Sequence, residues 1–165
     1  MIVITKIKLH NFKRFKDLVF DVNPDINIFI GDNESGKSTI LQAIDIVARG
    51  SRTRIENIGL DKLFNIETMH EYMNGNRDLN NIPEMYVELY FSNHPDPLLE
   101  GMNNSLGLLC SGIRLCCTLN DDYSQQVAQL LQNPDVSFPL EFYKITFETF
   151  AGESFNAYTK KLNNI

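Results

Sequence analysis

The sequence predicts an α/β fold whose second half is an antiparallel β-meander. Three observations carry this expectation. The run Gly31-Asp32-Asn33-Glu34-Ser35-Gly36-Lys37-Ser38-Thr39 has the G-x-x-x-x-G-K-S spacing of a phosphate-binding loop. It lies between a short apolar run, Ile26-Asn27-Ile28-Phe29-Ile30, and a segment in which Ile40, Leu41, Ile44, Val47 and Ala48 recur at helical spacing. After residue 84 the chain alternates strand-like runs with turns and holds a single helical segment.

Taken in order, residues 2–10 alternate loosely as a strand, with Ile2, Ile4 and Leu9 on one side and Lys6 and Lys8 on the other. Asn11-Phe12-Lys13-Arg14-Phe15-Lys16 interrupts it. Leu18 to Val22 forms a second strand, and Asn23-Pro24-Asp25 is turn chemistry. The β-branched run 26–30, the loop and the long helix follow, with Gly50 as the helix's C-terminal cap. Residues 51–83 read as a long surface excursion holding a short helix within 61–73, because Asn74-Gly75-Asn76 and Asn80-Asn81-Ile82-Pro83 are turn-forming. Met85 to Phe91, Ile113 to Leu119 and Glu141 to Phe150 read as strands. A helix carrying Tyr123, Val127, Leu130 and Leu131 lies between the last two, and 155–158 pairs back after the Ala151-Gly152 turn.

The strand–loop–helix setting gives the loop its chemistry, that of a P-loop NTPase. Glycines let the backbone close around phosphates with N–H groups inward, and the positive end of the helix dipole faces the anion. Lys37 is placed to reach the β- and γ-phosphates, Ser38 to put its hydroxyl on magnesium, and Thr39 to support the loop. The expected ligand is a nucleoside triphosphate with Mg2+.

The chain of 165 residues is one domain or part of one, and 43% hydrophobic content is enough for a core. Its net charge of −6 is uneven: residues 1–54 carry nine Lys or Arg against six acids, and the remainder six against fifteen. The basic end is the nucleotide end, while the acidic total argues against this stretch alone as a strong nucleic-acid binder. Cys110, Cys116 and Cys117 have no zinc-ligand spacing and suit a reducing, cytoplasmic setting. The N-terminus is charged too early for a signal peptide, and no apolar run approaches a membrane span.

A P-loop also needs an acidic group for magnesium and a group that orients the attacking water. The one strand running into acids is Leu115-Cys116-Cys117-Thr118-Leu119-Asn120-Asp121-Asp122, but Arg114, Thr118 and Asn120 break the continuous apolarity of a central parallel strand. Glu141 opens its strand instead of closing it. The catalytic carboxylates are therefore expected to be absent from this stretch, and its catalytic residues are unknown. His10, His70 and His94 share no metal spacing, Glu88 reads as the solvent face of its strand, and Arg49, Arg52 and Arg54 as a solvated basic loop or a phosphate contact.

Ile7-Lys8-Leu9-His10-Asn11-Phe12-Lys13-Arg14-Phe15, followed by Phe29 through Ile44 with Asn33 at the loop's third position, resembles the N-terminal lobe of ABC-type chromosome-maintenance and repair ATPases. This group includes RecF, the SMC proteins and the OLD family of ATP-dependent endonucleases. The match covers about the first 48 residues. The phrase Asn33 to Thr39 and the early return to a strand at 87–91 look most like the OLD family.

That resemblance implies ATP with Mg2+, Lys13 and Arg14 flanking the ribose or phosphates, and Asn33 lining the loop. A basic strand edge is the alternative for Lys13 and Arg14. It further implies DNA as a partner of the complete protein, no membrane, and a homodimer or higher homo-oligomer. The glutamine loop, signature motif, Walker B acids and any nuclease domain are not matched, and Leu109-Cys110-Ser111-Gly112 only partly echoes the signature. The chain then reads as a partial ABC-type ATPase domain over 1–165, divided at about residues 50 and 84. Its activity would be that of an OLD-like ATP-dependent endonuclease, or alternatively of a RecF/SMC-type ATPase without nuclease. A small P-loop kinase fits poorly, since such folds alternate strand and helix throughout.

Overall fold

A computed structural model describes residues 3–23, 25, 27, 36–92 and 96–157. The strand expected at 26–30 lies outside these apart from Asn27, as do Gly31–Ser35, His94 and Tyr158.

The alternating pattern at the N-terminus folds as a hairpin, β1 (Ile4–Phe12) and β2 (Phe15–Asp21), closing on the pair Phe12↔Phe15 with Lys13-Arg14 at the turn. β1 thus runs through the Asn11-Phe12 segment expected to interrupt it. Its other edge pairs with β3 (Met85–Phe91). The hairpin β4 (Glu100–Gly101) and β5 (Cys110–Leu119) follows; β5 pairs with β3, and β6 (Tyr143–Thr149) pairs with β5. Every pairing is antiparallel. The chain continues past β6 into a turn and pairs back through the Glu148↔Ser154 bridge and the Phe155 amide on the Phe147 carbonyl.

One face of the sheet carries Ile7, Leu9, Val87, Leu89, Ile113, Leu115, Cys117, Ile145 and Phe147, all buried. Helix α1 (Lys37–Arg49) packs its own apolar stripe, Ile40, Ala43, Ile46 and Val47, into the same core. Each such aliphatic side chain contributes about 1.5–3 kcal/mol on burial, which is why a period-2 face and a period-3.6 stripe settle against each other. Ile4 joins this face despite its sequence parity. A β-bulge between Ile4 and Lys6 takes two steps on β1 for one on β3, so the expected grouping of Ile4 with Leu9 holds through an irregularity. Gly50 caps α1 in the left-handed conformation at φ 59°.

Residues 51–83 are not a surface excursion. They form three short helices, α2 (Arg52–Ile58), α3 (Leu60–Leu63) and α4 (Ile66–Asn74), which bury Ile55, Leu63, Phe64 and Met69 in the main core. Each is too short to display a helical period, but their caps were present in the sequence: Ser51 accepts from the Arg54 amide and Asn65 from the Thr68 amide. The helix expected at 61–73 is in fact split at Phe64-Asn65. The expected helix near 123–131 is α5 (Ser124–Leu130), burying Val127, with Leu131 buried just beyond it.

The opposite face of the sheet is polar, and there Glu88 corrects expectation. It is 0% exposed, not solvated. It stands in a cross-strand row of alternating charge, Lys8, Glu88, Arg114 and Glu148. Its carboxylate accepts from the Ser105 amide (2.7 Å), the Ser105 hydroxyl (2.6 Å) and the Tyr90 hydroxyl (2.7 Å). The loop between β4 and β5 covers this part of the face, which no periodicity within β3 could disclose.

Candidate nucleotide-binding site

Among the described residues of the loop, Gly36 is the one the backbone singles out. It holds φ 94° at the N-cap of α1, where L side chains are strained. A Cβ there would also sit 2.5 Å from Phe15 Cζ and 3.2 Å from Arg14 Cδ. The β1–β2 turn therefore rests directly on the phosphate-binding loop. Lys37, Ser38 and Thr39 begin the helix, with Ser38 exposed. No side chain caps this N-terminus and no acid lies in its first turn. The positive end of the helix dipole thus meets no competing carboxylate of its own first turn, as an anion site requires.

The turn that approaches Gly36 is held by a buried asparagine network. Asn11 sits at φ 50° and only 4% exposed. Its Nδ2 donates to the Glu84 carbonyl (2.7 Å), and its Oδ1 accepts from the Thr68 hydroxyl (2.8 Å). Its carbonyl accepts from the Asn65 amide (2.9 Å), and Asn65 Nδ2 donates to the Lys13 carbonyl (2.7 Å). The Lys13 amide donates to Leu63 O (2.6 Å). Three elements, β1, the entry to β3 and the start of α4, thus fix Lys13 and Arg14. From β2, Lys16 adds an ion pair to Glu71 (2.7 Å), a hydrogen bond that raises its ammonium above the ordinary lysine value.

Lys13 Nζ donates to Gln42 Oε1 (2.5 Å), so this ammonium joins the hairpin to α1. Gln42 was not anticipated; its position one turn after Ser38 on the same helix face was the available signal. Beside the turn lies a cavity of about 680 Å³ lined by Lys13, Arg14, Asp61, Lys62, Asn65 and Glu67 among others. Asp61 and Lys62 of α3, and Asn65 at the break between α3 and α4, lie in the stretch where the sequence pattern predicts a short helix.

The structure therefore sets Lys13 and Arg14 beside Gly36, at the helix start that carries Lys37, Ser38 and Thr39, while the other described candidates are engaged elsewhere. Arg49 and Arg54 both pair with Asp45 (2.5 Å each), and Arg52 pairs with Glu56 (2.9 Å). Arg49 ends α1, about 18 Å from Lys37 at the helical rise of 1.5 Å per residue, and Arg52 and Arg54 lie on α2 beyond it. Asp121 and Asp122 form an exposed turn capped by Asn120, and Asp121 pairs with Lys144 (3.2 Å). Ser111 and Gly112 open a strand, not a helix, and Gly112 is required by the Phe150 ring packed on it. His10 hydrogen-bonds Asp17 (2.7 Å) and stacks on Tyr86, and no metal-binding cluster exists among the described residues. Nor is any described helix long and apolar enough to cross a membrane.

Comparison with known proteins agrees with this geometry. A family model described as AAA ATPase domain matches residues 1–164. The chain is also similar to the DNA replication and repair protein RecF of Lactococcus lactis subsp. cremoris (strain MG1363), 44% identical over 52 residues, which are 30% of this chain and 14% of that protein. RecF of Limosilactobacillus reuteri (strain DSM 20016) is 34% identical over 55 residues, 33% of this chain and 15% of that protein. RecF of Staphylococcus carnosus (strain TM300) is 33% identical over 54 residues, with the same shares. The matched stretch is thus a small part of each relative's length. With a P-loop sequence, a left-handed Gly36 at a helix N-terminus and a family match across nearly its whole length, the chain belongs to the AAA ATPase domain family.

Proposed function

We propose that the chain is the ATP-binding N-terminal part of a RecF-like DNA-repair ATPase. The observation that carries this reading is the seating of the Lys13-Arg14-Phe15 turn on Gly36, at a helix N-terminus with no acid in its first turn. A left-handed glycine at a helix N-terminus, beside a basic hairpin turn, fits a polyphosphate. Lys37 would bind the β- and γ-phosphates together with the backbone of Gly31–Ser35, and Thr39 would support the loop. Arg14, beside Gly36, would neutralise phosphate charge or hold the ribose, with Lys13 positioned by Gln42. Ser38 would hold Mg2+, which when bound supplies charge neutralisation between phosphates.

Part of the ligand set for hydrolysis is expected outside the chain, so Mg-ATP binding with negligible turnover is its predicted activity. The complete protein would act on DNA as a homodimer or higher homo-oligomer. The phrase Asn33 to Thr39 favours a second reading, an OLD-like ATP-dependent endonuclease. The two differ in one assay. Mg-ATP-dependent cleavage of plasmid DNA by the complete protein supports the endonuclease, whereas ATP-dependent DNA binding without cleavage supports the RecF-type reading. For either, Lys37→Ala should weaken Mg-ATP binding at least a hundredfold with the circular dichroism spectrum unchanged. Retained affinity in that variant would overturn the assignment of the site.

A further inference from the structure

We infer that the loop joining β4 to β5 is a docking surface for an apolar segment of a partner polypeptide flanked by lysine or arginine. It exposes Met102 (63%), Leu106, Leu108 and Leu109 (69%), and Leu98 is exposed just before β4. Scattered exposed apolar side chains are ordinary, but four in one hairpin loop with Leu98 just before its first strand are not. The β4–β5 register pairs Glu100 with Ser111 and Gly101 with Cys110, so Met102 and Leu109 flank the last pair from opposite strands and stand side by side.

The loop is held in this outward form by a set of polar contacts. Ser105 is clasped through its amide and hydroxyl by the buried carboxylate of Glu88. Asn104 closes the tip on Leu108 from both sides, donating to its carbonyl (2.7 Å) and accepting from its amide (3.1 Å). The Asn103 amide donates to Phe150 O (2.9 Å), and its side chain donates to Glu148 (3.0 Å). Buried hydrogen bonds that fix a loop with its leucines turned to solvent reduce the ordering cost of a later contact.

The charge around the patch selects the occupant. From Asp96 to Gly112 and again from Ala151 to Ala157 the chain has no lysine or arginine, while Asp96, Glu100 and Glu153 lie in these stretches. Arg114, the nearest cation along β5, is engaged by Glu148 (3.1 Å). An apolar centre with an acidic rim is complementary to an apolar segment with a cationic rim and repels an acidic one.

The test uses two fluorescein-labelled amphipathic helical peptides of identical leucine pattern, one with lysine and one with glutamate at the polar positions. Binding to the purified chain is followed by fluorescence anisotropy. The Leu/Lys peptide should bind and the Leu/Glu peptide should not. Met102→Glu and Leu109→Glu should each weaken the Leu/Lys peptide at least tenfold, with thermal unfolding unchanged. Leu109→Ser serves as a second, milder variant. Those glutamates add negative charge, so adhesion by charge alone predicts tighter binding in both variants and would overturn the proposal. Equal binding of the two peptides, or no binding of the Leu/Lys peptide, would also overturn it. Self-association in sedimentation that Leu109→Glu abolishes would overturn it too, by assigning the surface to a second copy.

Discussion

Asn11→Ala probes the network that sets the Lys13-Arg14 turn. Besides a contact with the neighbouring His10 ring (3.0 Å), the side chain makes two hydrogen bonds to distant elements, to the Glu84 carbonyl at 2.7 Å and from the Thr68 hydroxyl at 2.8 Å. Losing each costs about 1 kcal/mol net. Asparagine also tolerates the left-handed backbone at φ 50°, where alanine is strained by about 1 kcal/mol. The total, about 3 kcal/mol, corresponds to roughly 6–12 °C in Tm for a chain of this size. Asn11→Asp keeps the acceptor for Thr68 and the tolerance of the left-handed region but sets a buried carboxylate oxygen against the Glu84 carbonyl, so it should cost at least as much as alanine. Because the network fixes the Lys13-Arg14 turn, Mg-ATP affinity in Asn11→Ala should fall by about tenfold, or 1.4 kcal/mol. Urea unfolding and ATP titration of the native chain and both variants measure these effects. A stability loss in Asn11→Ala below about 0.5 kcal/mol, or one larger than in Asn11→Asp, would refute the reasoning.

Other expectations follow from the same geometry. Gly36→Ala must displace Phe15 and adopt an unfavourable φ, so it should abolish Mg-ATP binding while leaving the far end of α1 intact; unchanged affinity in a titration would contradict the close approach. Glu88→Ala removes the clasp on Ser105 and should cost about 3 kcal/mol, read as faster hydrogen exchange of the Ser105 amide and its neighbours. Burial pushes the Cys116 thiol from 9.0 up to about 12. The folded state thus favours the neutral thiol, a contribution present below the unfolded thiol's value and lost as pH rises from about 9 toward about 12. Thiol labelling at pH 8 should accordingly reach half-buried Cys110 first, and Cys116 and Cys117 only on unfolding; equal labelling rates would disprove this.

Local signals decided much of the chain. The loop spacing, the stripe of α1, and the runs at 85–91, 113–119 and 141–150 were legible because each holds its own period or motif over seven residues or more. Tertiary structure decided the rest, for reasons of distance. Residues 51–83 pack as three helices because their apolar side chains find a sheet that no local window contains. Glu88 is buried because a loop seventeen residues later folds over it. Asn11 was legible as part of a motif, yet its work, holding Lys13 and Arg14 in place through Glu84, Asn65 and Thr68, depends on groups more than fifty residues away. The sequence by itself thus determined the ligand class, since phosphate recognition is carried by consecutive residues of one loop. Only the fold decided which cations reach that loop. Arg14 is brought against Gly36 by the hairpin, while Arg49 and Arg54 are turned to Asp45 of α1 and Arg52 to Glu56 of α2.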